Sequence, residues 1–265
     1  MRFASLGSGS EGNALLIESR DGTRTTRVLI DCGFSLREVR KRLRSVGIEP
    51  EEIDAILVTH EHGDHVGGVF RLSAAHHVPA CLTHGTLAAC PLDVETAATD
   101  DGERLVRTIV PDQAFEVGGL RILPVSVPHD AREPVQYVVD DGRVRLGVLT
   151  DIGHGTPHVR RFYSGLDALV LECNHDSEML SSNARYPETL KRRISGPWGH
   201  LANQAAADLL ASLERSRLRV VMAAHLSRHN NTPELAQAAL ASALGDEPAA
   251  IGIADQESGF SWIEV

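Results

Sequence analysis

The sequence predicts an α/β fold, because short β-like apolar runs alternate with stretches whose apolar residues recur at helical spacing, and because the second half of the chain repeats that alternation. Several of the predicted strands also end directly on histidine or aspartate. Hydrophobic content of 42% and charged content of 23% are globular values, and no composition shift divides the 265 residues, so one domain over 1–265 is expected.

In chain order, Met1 to Gly7 reads as a short strand running into a glycine turn, and Ala14 to Glu18 and Val28 to Asp31 read as strands. Leu36, Val39 and Leu43 have the spacing of one helix face, and Ile53 to Val58 is an apolar strand. A helix through Val69 to Ala75 and a strand over Val78 to Leu82 follow. The middle is β-rich: Leu120 to Val127, Gln136 to Val139 and Val144 to Leu149, with Asp140-Asp141-Gly142 as a hairpin turn. The second half reads as strand Asp167 to Glu172, helix Gln204 to Leu213, strand Val220 to Ala224 and helix Pro233 to Leu244. Two αβ halves are implied. Face-to-face packing of their sheets would gather the polar strand ends along one edge, where ligand sites form.

No apolar stretch is long enough for a membrane span. The first residues lack the apolar core and cleavage site of a secretory signal, so a cytoplasmic location without a membrane partner is expected. Cys32, Cys81, Cys90 and Cys173 show no paired spacing and read as buried free thiols. The net charge of −10 weighs against a broad nucleic-acid-binding surface but permits a local basic patch.

The most specific signal is His60-Glu61-His62-Gly63-Asp64-His65, directly after the strand that ends at Val58. So many imidazoles and a carboxylate within one short turn present converging donors suited to zinc, manganese or iron. His60 and His62 alternate onto one side of an extended turn, whereas Asp64 and His65 point onward, an arrangement able to feed two metals. Three later residues that follow apolar runs directly are further candidates: His129, Asp151 and His225. His229 competes with His225 but does not follow the strand directly, and His76, His77, His84, His154 and His158 lack any such support.

With these residues the chain resembles the metallo-β-lactamase superfamily, whose four-layer αββα sandwich carries a His-x-His-x-Asp-His loop, then a distant His, a bridging Asp and a final His. The resemblance implies two divalent metal ions. His60, His62 and His129 would hold the first, Asp64, His65 and His225 the second, with Asp151 as the bridge. Gly7-Ser8-Gly9-Ser10-Glu11-Gly12-Asn13, Ile30-Asp31-Cys32-Gly33, Glu172-Cys173-Asn174-His175-Asp176 and Gly199-His200-Leu201-Ala202-Asn203-Gln204 further resemble the YycJ/WalJ group. Membership would imply a DNA exonuclease acting from the 5′ end. Ala202 stands where that group has serine, so a hydroxyl contact is lost.

Each segment also has a physical reading. The glycine-rich loop is either an ordinary turn or one that aims N–H groups and Ser8, Ser10 and Asn13 at an anion. Asp31 is either a turn cap or, like Glu172, a carboxylate that orients a metal-binding histidine. His200 either caps the helix near Asn203 or serves as a catalytic acid. Asn174, His175 and Arg193 are candidate substrate contacts, His175 also a candidate partner of the ligands; Arg193 belongs to a basic cluster with Arg185, Lys191 and Arg192. Arg37 to Arg44 reads as a solvated helix face.

The expected chemistry is metal-assisted phosphodiester hydrolysis by a metal-bridging hydroxide, with Asp64, Asp151 and His200 as catalytic residues and DNA as substrate. Two other functions share the motif: hydrolysis of a small cyclic phosphodiester or thioester, and iron-dependent oxidoreduction. The diiron branch carries Glu where this chain has His62.

Overall fold

The computed structural model describes residues 1–22, 24–90 and 105–265. The first half comprises strands β1 (Arg2–Gly7), β2 (Ala14–Asp21) and β3 (Arg24–Ile30), helix α1 (Leu36–Ser45), strand β4 (Ala55–Leu57), helices α2 (Gly63–Val66) and α3 (Val69–His76), strand β5 (Ala80–Thr83), helix α4 (His84–Ala89) and strand β6 (Val106–Ile109). Strands β7 (Phe115–Val117), β8 (Leu120–Ser126), β9 (Val135–Asp140) and β10 (Arg145–Leu149) precede helix α5 (Pro157–Tyr163) and strand β11 (Ala168–Glu172). Helices α6 (Ser177–Ser182), α7 (Glu188–Ile194) and α8 (Asn203–Ala211), strand β12 (Val220–Ala224), helix α9 (Pro233–Leu244) and strands β13 (Ala250–Ile253) and β14 (Phe260–Glu264) complete the described chain.

Two mixed sheets of seven strands result, ordered β14-β1-β2-β3-β4-β5-β6 and β13-β12-β11-β10-β9-β8-β7. Strand alternation sorts their side chains into three cores. Leu15, Ile17, Val28, Ile30 and Leu57 of the first sheet meet Tyr137, Val139, Val148, Val170 and Met222 of the second. The intervening Leu16, Leu29 and Ile56 point outward onto Val39 and Leu43 of α1 and Val69 and Leu72 of α3. On the opposite side Leu169, Leu171 and Val221 pack against Val159 of α5, Leu209 of α8 and Leu240 of α9. Both faces of each sheet are therefore covered, giving an αββα sandwich and explaining why its central strands read as continuous apolar runs.

Local chemistry fixes the helix starts. Ser35 caps α1 by accepting from Glu38 N, and Glu38 pairs with Arg42 four residues on at 2.8 Å. The expected basic run on this helix is a polar outer face: Arg42 also stacks on Phe34 at 4.2 Å, and only Val39 and Leu43 are buried. All four cysteines are buried and unpaired. Among the described residues no helix is long and apolar enough to cross a membrane.

Several boundaries differ from the sequence expectation. The run Ile53 to Val58 contributes only Ala55–Leu57 to the ladder, and β3 stops at Ile30 because Asp31 turns into the left-handed region at φ 60°. Strands β6, β7, β13 and β14 have three to five residues each, with exposed positions among them, and α4 to α7 have six or seven. Such pieces are too short to display a period.

Direction decides where the site lies. Strands β3 and β4 are parallel, as are β10, β11 and β12, and β8 shares their direction because β8 and β10 both run antiparallel to β9. The C-terminal ends of these strands thus gather along one edge of the sandwich. Tyr137 bridges the sheets by donating to the Val58 carbonyl at 2.7 Å, which fixes the chain two residues before His60.

Away from that edge, the buried Glu18 carboxylate receives Arg2, Arg20 and Arg27 at 2.8, 3.1 and 2.8 Å. Burial alone would raise its pKa, but hydrogen bonds from Arg2 and Arg27 prevail and hold it below the usual value. A depressed folded-state pKa stabilises the protein above the unfolded value and is lost as pH falls through the folded one. Glu18→Gln is therefore expected to cost roughly 1.5–3 kcal/mol at pH 7, the value of hydrogen bonds to a charged group. Urea denaturation at pH 7 and pH 3 checks this: the deficit should shrink at the acid pH.

Candidate metal centre

At the shared edge, the residues after β4, β8, β10 and β12 converge. His60 Nε2 lies 3.0 Å from His62 Nδ1, which lies 3.4 Å from His129 Nε2. A second group forms beside it: Asp64 Oδ2 is 3.4 Å from His65 Nε2 and 3.5 Å from His225 Nε2. Asp151 faces both, with Oδ1 3.8 Å from His129 Nε2 and Oδ2 3.1 Å from His65 Nε2. His60, His62 and His129 can share one ion, and Asp64, His65 and His225 another, since the donor atoms of each trio lie within 4.8 Å of one another.

The opposite ring nitrogens explain how these histidines are aimed. His65 Nδ1 donates to Asp31 Oδ2 at 2.8 Å, and Thr59 Oγ1 donates to the same oxygen at 2.8 Å while accepting from His60 Nδ1 at 2.9 Å. His129 Nδ1 donates to the Gly199 carbonyl at 3.0 Å, and His225 Nδ1 to Glu172 Oε1 at 3.3 Å. In all four rings Nδ1 is engaged, so Nε2 is the nitrogen turned toward the centre, the usual orientation of metal-binding imidazoles. His62 is reversed, presenting Nδ1 to its partners, and is the more exposed ring at 29%.

Two atoms test whether this set fits a cation. Asp151 Oδ2 and His225 Nε2 are buried without a hydrogen-bond partner. An unsatisfied buried acceptor costs about 1–3 kcal/mol, and a divalent ion among nitrogen and carboxylate donors satisfies both atoms. The residues fit. Electrostatics agree: burial pushes the His60 and His129 rings below the usual imidazole range, so they are neutral donors. Burial opposes charge on His65 and His225 as well, but Asp151 and Asp31 hold His65 high, and Asp151, Asp64 and Glu172 hold His225 up to about 10. Burial raises Asp151, yet His225 and His65 prevail and keep it ionised. Cation and ring protons therefore compete for the same atoms.

Local backbone makes this crowding feasible. Asp31 (φ 60°) and His225 (φ 54°) adopt the left-handed conformation, which turns each side chain off its strand end into the centre. The Asp31 N–H donates to the Leu57 carbonyl at 2.9 Å, and the His225 N–H to Ser8 Oγ at 2.9 Å. A Cβ on Gly33 would collide with the Asp64 carbonyl, so glycine alone permits the β3 exit to lie against the metal loop.

The other expected site residues divide. Ser10, Asn174, Arg193 and His200 line a cleft of about 450 Å³ with His62, Asp64, Asp151 and His225. Ser8, Asn13 and His175 do not. Ser8 is spent on His225, and the Asn13 amide sits 3.3 Å from Asp64 Oδ2 and 3.1 Å from His65 Nε2, so the glycine-rich loop holds ligands rather than offering those side chains to an anion. His175 is 2% exposed, with its carbonyl accepting from Asn203 N. Glu172 does more than the sequence suggests. Its Oε1 accepts from His200 Nδ1 at 2.6 Å as well as from His225, and its Oε2 accepts from Ile152 N and Leu201 N at 3.0 and 3.1 Å.

His200 is not a helix cap. Ala202 occupies the N-cap of α8 without a side-chain bond, so the departure from serine removes about 1 kcal/mol of capping and nothing from the cleft. His229 is exposed and outside every donor group. Sequence reasoning missed Thr59, whose hydroxyl links Asp31 to His60, and Asp130, which binds Arg193 at 2.6 Å and lies 3.4 Å from His129 Nε2. Their position beside motif residues was the available signal.

A family profile described as beta-lactamase superfamily domain matches residues 26–225. The chain belongs to the metallo-β-lactamase superfamily. Exodeoxyribonuclease YycJ of Bacillus anthracis is 31% identical over 252 residues, covering 95% of this chain and 92% of that protein. Exodeoxyribonuclease WalJ of Streptococcus pneumoniae is 29% identical over 252 residues, covering 95% and 91%. The crystal structure of the metallo-beta-lactamase fold protein YhfI from Bacillus subtilis matches with a TM-score of 0.72 at 18% identity over 99% of each chain, a likeness of fold. The chain groups with the YycJ/WalJ proteins, and its enzyme class is metal-dependent hydrolase.

Asp31→Asn keeps the shape of the side chain but loses the acceptor that fixes the His65 ring. Metal affinity should fall roughly 10–100-fold, as for loss of other outer partners of metal ligands. Competition against a chromogenic chelator, with far-ultraviolet circular dichroism confirming the fold, measures it; undiminished affinity would refute the orienting role.

Proposed function

We propose that this chain is a two-metal phosphodiesterase acting on DNA as an exonuclease from the 5′ end. The observation that carries the two-metal reading is the placement of Asp151 between the two donor groups, with Oδ1 3.2 Å from His225 Nδ1 and 3.8 Å from His129 Nε2, and Oδ2 3.1 Å from His65 Nε2 yet without a hydrogen-bond partner. His60, His62 and His129 would hold one ion and Asp64, His65 and His225 the other, zinc or manganese suiting this donor set and iron also accepted. Ions bound there supply Lewis-acid chemistry, activating water and polarising the phosphoryl oxygens. DNA as substrate is supported by the exodeoxyribonuclease names of YycJ and WalJ, which match nearly the whole chain, and the 5′ direction follows from the motif resemblance to that group.

The protein's own groups complete the reaction. Arg193, at the cleft wall and 62% exposed, offers its guanidinium to the flanking backbone while Asp130 fixes its orientation. His200 donates from Nδ1 to Glu172, leaving Nε2 as the ring nitrogen available to substrate. Burial opposes charge on His200, but Glu172 and Asp151 hold its pKa above the usual value, so it carries a proton to give to the departing oxygen. Gly199 O fixes His129 one residue before His200, coupling the acid to a ligand.

The test is an assay of metal-reconstituted protein on 5′-labelled linear DNA, 3′-labelled linear DNA, circular single-stranded DNA, RNA and bis(p-nitrophenyl) phosphate. Stepwise release of 5′-terminal nucleotides from linear DNA, with the circle untouched, is expected. Cutting of the circle, or preference for RNA, would overturn the exonuclease reading. Asp151→Ala should lower turnover by more than about 10²-fold, beyond the effect of an outer partner. His200→Gln should retain its metal by elemental analysis yet lose roughly 10²–10⁴-fold in kcat.

A further inference from the structure

A second cavity of about 310 Å³ adjoins the metal cleft, and Ser10, Tyr186 and Ser227 line both. That volume is at the small end of ligand pockets, which run about 300–1,000 Å³. The partition is rigid. Gln256 accepts from Glu11 N at 2.8 Å and donates to the Gly12 carbonyl at 3.0 Å, while Ser8 N donates to the Asp255 carbonyl, so the Ser8 to Asn13 loop is pinned between the cleft and the cavity.

Two features describe what the cavity accepts. Tyr186 and His229 stand nearly perpendicular with ring centroids 6.5 Å apart, and neither has a side-chain hydrogen bond among the described residues, so both keep aromatic surface and polar atoms for a ligand. The rest of the wall repels anions. Glu11, Asp255 and Glu257 line it, and Arg228 is already engaged by Glu11 at 2.7 Å and Glu257 at 2.6 Å. A phosphate backbone is favoured in the metal cleft and disfavoured here, whereas an uncharged aromatic group is favoured here.

We propose that this cavity is a terminal-nucleoside pocket, taking the base and sugar of the strand's end residue while the scissile phosphate lies in the metal cleft. The inference rests on the nuclease reading and deepens it. Tyr186, on the shared wall, is then a specificity-determining residue that stacks the terminal base, and the acidic wall stops a polyanionic strand from continuing past the site. An enzyme built so removes end residues because an internal segment has a phosphate where the carboxylates lie.

The experiment compares two labelled strands that differ only at the 5′ end, one bearing a normal nucleotide and the other an abasic tetrahydrofuran residue, using the full-length metal-loaded protein. Base–aromatic stacking should favour the first strand roughly 5- to 150-fold in kcat/KM for the first cleavage. Tyr186→Ala should bring the ratio toward one, and Tyr186→Phe should keep most of it. Equal rates on the two strands in the unmodified protein would overturn the pocket while leaving the nuclease reading intact. Hydrolysis of bis(p-nitrophenyl) phosphate with neither strand cut would overturn the nuclease reading itself, and the pocket with it.

Discussion

Four donors from three separate segments meet on one buried carboxylate, Glu172, and the candidate metal edge depends on that meeting. His200 and His225 donate to Oε1, Ile152 N and Leu201 N to Oε2. Glu172 ends β11, the strand between β10 and β12, so it lies between the residues that follow those neighbours. Burial alone would raise its pKa; His200 keeps it ionised, and the ionised form is the one that can accept four bonds. His225 and the proposed acid are thus aimed by one group. Asp31 performs the corresponding task in the first sheet for His65 and Thr59.

The arrangement brings buried charge and backbone strain together at one edge. Left-handed aspartate and histidine residues are sparsely populated, at about 1–3 kcal/mol each, and two of the four among the described residues, Asp31 and His225, sit beside a cluster of buried imidazoles, the others being His77 and Asp112. Three apolar cores surround this edge and over-determine the backbone that reaches it. A close-packed sandwich is what allows so many polar groups to be held within bonding distance without collapsing onto alternative partners.

The convergence of the candidate metal ligands was legible because each follows a strand or lies in one compact turn, so residue type and local pattern coincide. His60, His129, Asp151 and His225 all follow apolar runs that became β4, β8, β10 and β12. What was not legible depends on contacts distant in the chain. Nothing near Asn13 announces that its amide turns to Asp64, 51 residues away, and nothing in Asn174-His175-Asp176 separates the cleft-lining Asn174 from the buried His175 and from Asp176, which caps α6. The same holds for the fold: strands covered on both faces were readable, whereas the short edge strands take their conformation from the neighbours they pair with.

The glycine-rich loop near the start of the chain has a consequence for assembly in time. Glu11 bonds to Gln256 across 245 positions, and Ser8 bonds to His225 across 217. Closing such separations is slow and yields nothing until the last partner arrives. During synthesis the first sheet's histidines emerge long before His129, Asp151 and His225, so a nascent chain exposes only part of the proposed donor set. On the proposed two-metal reading, the donor set closes only after β12 has been made, and the glycine-rich loop is pinned later still, when Gln256 follows β13.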